Sequence, residues 1–238
     1  MKIDTQEMAQ LAATQAQPRF DMYTGIHKAL RALMADTLLA LGRMDPRDET
    51  DVAQASQRVL ELLDFCGSHL RHENEFVHAA IEARAPGASD QITGEHDEHE
   101  RHIAHLRGLI VALAAQPVAA RGAAALALYR ETALFVAANF SHMHVEETAH
   151  NAVLWARYTD AELAGIHGAL LASIPPQEMM FALRWLVPFM NPEERAAMLG
   201  DMREHAPAPA FAAALEMVRP LLSESEWGKL ARDLNLPA

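Results

Sequence analysis

A histidine and a glutamate interrupt an apolar helical stripe, and the same interruption occurs twice in this chain. In the stretch His69-Leu-Arg-His72-Glu73, His69 and Glu73 stand four residues apart. Four steps of ~100° bring the second side chain back above the first, so both lie on one face of a helix. That face is the apolar one, shared by Val52, Val59, Leu62, Leu63, Cys66, Phe76, Val77 and Ala80. His142 and Glu146 repeat the pattern in a second stripe, after Leu128, Thr132, Phe135 and Asn139 and before Ala149 and Val153. A carboxylate and an imidazole inside a core stripe need a buried partner, because an uncompensated buried charge is costly. A cation is one such partner.

The stripes belong to long helices. Tyr23, Ile26, Leu30, Leu33, Met34, Thr37, Leu38 and Leu41 mark the first, over about 20–41, with His27 inside its seam. The second is predicted from about Asp48 to Arg84, stopped by Pro86-Gly87. The third starts near Ser89 or Asp90, a good N-cap type, and runs to Ala115 before Pro117. Its seam reads Ile92, His96, His99, Ile103, Leu106, Ile110 and Leu113. The fourth covers about 119–157. Connections of a few residues between long helices make an antiparallel up-down-up-down four-helix bundle the natural packing, so the expected class is all-α. The bundle is placed at 18–157. After Tyr158 the texture changes to shorter helices broken by Pro175-Pro176 and Asn191-Pro192, read as a helical C-terminal extension over 158–238. The polar first seventeen residues read as a loose helix or a disordered lead.

Composition narrows the function classes. A net charge of -12 argues against nucleic acid or an anionic membrane as partner. One cysteine excludes a disulfide scaffold and a thiolate cage. No secretory signal and no membrane-length apolar run is visible, which makes a cytoplasmic protein the expectation.

With 13 histidines in the chain, roughly one His-x-x-x-Glu pair is expected by chance. Four occur: His69/Glu73, His78/Glu82, His96/Glu100 and His142/Glu146. Only the first and last fall on predicted core faces of different helices. His78 lies ~180° from His69, so His78/Glu82 is assigned to solvent. His72, His102, His105, His144 and His150 are likewise placed on solvated faces, and Cys66 and Tyr23 in the core. Each long helix thus contributes a core-seam histidine: His27, His69, His96 with His99, and His142. Imidazole plus carboxylate without thiolate suits iron, manganese or zinc.

In this order the motifs resemble the hemerythrin-like HHE cation-binding domain: His27 in helix one, His69-x-x-x-Glu73 in helix two, Glu95-His96 opening helix three, and Phe140-Ser-His142-x-x-x-Glu146-Glu147 in helix four. The resemblance implies a four-helix bundle holding a non-haem di-iron site, with His27, His69, His96 and His142 as terminal ligands and Glu73 and Glu146 as bridging carboxylates. It also implies roles in binding or sensing O2 or a related small diatomic. One departure concerns helix three, where hemerythrins proper carry two histidines four residues apart. Here Glu100 stands four after His96, and His99 and Glu100 are both candidates for the missing ligand. No cysteine-bearing N-terminal domain of the iron-sulfur-repair relatives is seen.

Three readings follow. The first is a di-iron protein that binds or reports a small diatomic. The second is a di-metal oxidase or peroxidase built on the same ligands. The third is a helical interaction module that uses the C-terminal helices to bind a partner or a second copy, a homodimer.

Overall fold

The computed structural model describes residues 19–236, and every element in them is helical. The lead expected over the first seventeen residues lies outside the described residues. Helix α1 is Thr24–Arg43. Helix α2, Glu49–His72, passes without a break through a π-helical segment, Glu73–His78, into α3, Ala79–Arg84. Helix α4 is Asp90–Ala115. After a 3-10 turn at Val118–Ala120, α5 runs over Arg121–Val145. A second π segment, Glu146–His150, then leads into α6, Asn151–Arg157. Shorter helices follow: α7 (Asp160–Ser173), α8 (Pro176–Phe189), α9 (Pro192–His205), α10 (Ala208–Val218) and α11 (Glu224–Asp233).

The helix boundaries follow local chemistry. Asp48 caps α2 by accepting from the backbone N–H groups of Thr50 and Asp51. Asn191 and Ser223 start α9 and α11 with reciprocal capping boxes to Glu194 and Glu226. Ser89 precedes α4 as expected, but its hydroxyl turns back to donate to Glu82 Oε1 at 2.7 Å. Glu82 also accepts from the N–H groups of Gly87 and Ser89, so it ties the turn between α3 and α4. Gly87 adopts φ 82° in that turn, a left-handed conformation that favours glycine.

The chain divides into two units. One comprises the described residues up to Thr24 together with Met34–Ser173. Within it, α4 and α5 pack along one another, and α7 seats Leu163 against Tyr23, Val77, Ile81 and Leu154. Arg84 lies over the Tyr158 ring at 3.8 Å and Tyr158 donates to the Ala80 carbonyl, which fixes the junction before α7.

The other unit comprises Gly25–Leu33 with Ile174 onward. Its core is Leu183, Val187, Leu199, Ala214, Val218, Leu222, Leu230 and Leu234. Met179, Met180, Met198, Met202 and Met217 fill around it, as flexible side chains do in irregular gaps. Arg195 is buried there and donates to the carbonyls of Val187, Pro188 and Met190, capping the C-terminal end of α8. Lys28 pairs with Glu194 at 2.5 Å in the same unit.

Candidate metal centre

Both His-x-x-x-Glu motifs sit where an α-helix gives way to a π turn. Glu73 is the first residue of one π segment and Glu146 the first of the other. Such wide turns insert one residue into the helical repeat and recur at functional sites. Their effect here is to re-phase everything downstream. On an unbroken α-helix His78 would lie ~140° from Glu73; one extra residue takes back about 100°, leaving ~40°. His150, ~80° from His142 on a regular wheel, comes to about 20° by the same shift. His78 and His150 are therefore buried, at 5% and 2% exposure, which corrects their assignment to solvated faces. The stripe predicted to continue through Ala149 and Val153 runs instead through His150, Asn151 and Leu154.

The glutamates are enclosed, Glu73 at 3% and Glu146 at 0%. Histidine nitrogens surround them. His69 Nε2 lies 3.1 Å from Glu73 Oε1, and His96 Nε2 lies 3.6 Å from Glu73 Oε2. Glu146 Oε1 is 3.4 Å from His142 Nε2 and 3.8 Å from His96 Nε2. The two Nε2 atoms of His96 and His142 are 3.1 Å apart. Three groups of ligand-capable atoms converge within one unit, each within 4.8 Å of one another: His69, Glu73 and Glu146; Glu73, His96, His142 and Glu146; and His78, Glu146 and His150. His27, on α1, is fully buried.

The rings are held from behind. His96 Nδ1 lies 2.7 Å from Asn74 Oδ1, and His142 Nδ1 lies 2.9 Å from Glu95 Oε2. His78 Nδ1 is 3.3 Å from Thr93 Oγ1, and His150 Nδ1 is 3.2 Å from the Tyr23 hydroxyl. An amide or carboxylate oxygen accepts, so in the neutral rings Nδ1 of His96 and of His142 carries the proton and leaves Nε2 as the nitrogen able to ligate. Two imidazole nitrogens 3.1 Å apart beside two buried carboxylates make a donor set able to hold a cation.

The electrostatics agree with a dry, crowded pocket. Burial, and then the neighbouring His96, hold His78 down at about 4. Burial and the His142 charge do the same for His99, also at about 4, and burial lowers His150. Burial pulls against the charged form of His142, but its bonds to Glu146 and Glu95 win and raise it. Burial and the Glu73 charge push Glu146 up, yet its bonds to His142 and His96 bring it below the usual carboxylate range. Tyr23 is raised by burial and by the charges of Glu146 and Glu73. The Cys66 thiol is pushed up by burial alone, which leaves it a core residue rather than a ligand.

The structure thus brings together His69, Glu73, His96, His142 and Glu146 within one unit, while His27 is buried and belongs to the other. His99 is buried but stands beside this set: its ring packs edge-on against His142 at 4.8 Å and near Phe135, and it belongs to none of the convergent groups. Glu100 is exposed, so α4 offers His96 alone to those groups. His72, His102 and His144 are half-buried and His105 is exposed, with His102 and His105 near Glu131. Sequence reasoning missed Asn74 and Thr93, which no spacing rule marks, and His78 and His150, which only the π turns deliver. The donor set of imidazoles and carboxylates without thiolate fits a borderline or hard transition-metal ion.

No curated protein and no solved structure matches the chain. A family model does: the hemerythrin HHE cation binding domain, over residues 20–150, more than half of the chain and spanning every residue of the three groups. With its histidines and glutamates gathered as that family's name requires, the chain belongs to the hemerythrin HHE cation-binding family.

Proposed function

We propose that this chain holds two iron ions between Glu73 and Glu146 and through them binds or senses O2 or a related small diatomic. The observation that carries the reading is the convergence of His69, His96 and His142 with two buried glutamates from separate helices. Following the family resemblance, His27 and His69 would serve one ion, His96 and His142 the other, and the two glutamates both. Manganese or zinc would suit the same donors. Bound iron supplies reversible one-electron chemistry and a coordination position for a small ligand. The chain's own residues do the rest. Asn74 and Glu95 orient His96 and His142. Phe135, fully buried and edge-on to His99 and His102, keeps bulk water from that side. We further propose that α1, α2 with α3, α4, and α5 with α6 form the antiparallel four-helix bundle of residues 18–157, with 158–238 as its extension.

The test is metal analysis of protein purified after growth with iron, with optical spectra taken without and with O2 and nitric oxide. About two irons per chain and a spectrum that responds to a diatomic support the reading. Protein that carries no metal, or iron whose spectrum ignores both gases, overturns it. Turnover of hydrogen peroxide with a reduced donor would instead favour the oxidase or peroxidase reading.

A further inference from the structure

His78 and His150 close the π turns that begin at Glu73 and Glu146. The pairing is the same in both motifs: a glutamate opens the wide turn and a histidine ends it. The turns bring the two rings together, with centroids 5.3 Å apart at 84°. His78 also stacks on His96 at 4.8 Å, which seats the pair beside the ligands already described.

We propose that His78, His150 and the Glu146 carboxylate form a third cation position, taking a borderline divalent ion such as zinc, cobalt or ferrous iron. One ligand atom from each lies within 4.8 Å of the others, and all three residues are buried. The Nδ1 side of each ring is occupied, by Thr93 Oγ1 for His78 and by the Tyr23 hydroxyl for His150. That leaves Nε2 as the coordinating atom on both rings. His78 Nε2 is buried and has no hydrogen-bond partner, although the residue is only 5% exposed. An imidazole nitrogen in that state is a ligand awaiting an ion or a cost without return. Two imidazoles and one carboxylate are a donor set that zinc and its neighbours accept, and that calcium and magnesium do not favour. The position depends on the pair-holding reading in one respect: it shares Glu146 with both proposed ions. Three dications around two glutamates leave surplus positive charge, so this ion binds last and leaves first.

The probe is cobalt(II), equilibrated at rising concentration with the full chain, with bound metal counted and its visible bands recorded. The native chain is expected to take up two ions tightly and a third weakly, the third with its own band. His78→Gln with His150→Gln is expected to saturate at two, with the tight pair unchanged. Thr93→Val, at an exposed position outside the cluster, is expected to weaken the third ion ~10-fold and spare the others. Saturation of the native chain at two ions overturns the third position alone. Three ions in the double variant also overturn it. Uptake of no cobalt by any chain overturns this position and the two-ion reading together.

Discussion

Glu95 on α4 holds the Nδ1 of His142 on α5 at 2.9 Å, and this bond decides which nitrogen of His142 faces Glu146. An ionised carboxylate only accepts, so Nδ1 keeps its proton and Nε2 stays a ligand. Glu95 is partly exposed, which makes it removable without opening the core. Glu95→Ala is expected to weaken metal affinity about 10- to 100-fold, the usual effect of losing an outer partner. Glu95→Gln, which keeps an accepting oxygen, loses less. Competition against a graded chelator measures both.

Glu146 and Glu73 are not equivalent. Glu146 belongs to all three convergent groups and Glu73 to two. Glu146→Ala is therefore expected to empty the centre, whereas Glu73→Ala retains residual metal, read by metal analysis after desalting. In metal-free protein the Glu73 charge opposes that of Glu146. Each carboxylate raises the energy of the other in a dry pocket, so Glu73→Gln is expected to stabilise the apo fold by ~1 kcal/mol in urea unfolding. The site costs stability that the metal restores.

Much of this was legible in the sequence. The stripes of α1, α2, α4 and α5 follow the 3.6-residue period, and the capping boxes at Asn191 and Ser223 announce α9 and α11. The seam histidines and the two glutamates come from the same period. What it hid is a change of period. Nothing in Glu73-Asn-Glu-Phe-Val-His78 or Glu146-Glu-Thr-Ala-His150 says that a turn widens, because the π geometry has no side-chain signature of its own. A regular wheel therefore sends His78 and His150 to solvent and keeps Ala149 inside, and each residue ends on the other side. Asn74 escaped for a different reason: its partner, His96, is distant in the chain.

Arg195 offers a test of the second unit. Its guanidinium is 2% exposed and its bonds go to three backbone carbonyls at the end of α8, with Glu226 3.6 Å away. Arg195→Met keeps much of the volume and strips those carbonyls of their donor. A loss of ~3 kcal/mol is expected, because buried acceptors are left unpaired. Arg195→Lys recovers part of it, since an ammonium cannot span the same fork. Chemical denaturation followed by tryptophan fluorescence reads the change, with Trp185 and Trp227 both in this unit.

The junction before α7 carries a pH dependence of known sign. Glu162 accepts from Arg84 at 2.5 Å and from the backbone N–H and hydroxyl of Thr159. The Arg84 bond, followed by those from Thr159, holds its carboxyl down at about 2, against an ordinary value of 4.5. A group whose folded pKa is depressed contributes stability above its unfolded pKa and loses it as pH falls toward the folded one. The contribution is thus full at neutral pH and fades between about 4.5 and about 2. Glu162→Gln is expected to melt below the native chain at pH 7, with the gap narrowing through that window and closing near its lower end. The groups common to both chains cancel in the difference, so paired melting curves across the range isolate this carboxylate. A gap that stays constant down to pH 2 would assign its role to packing rather than charge.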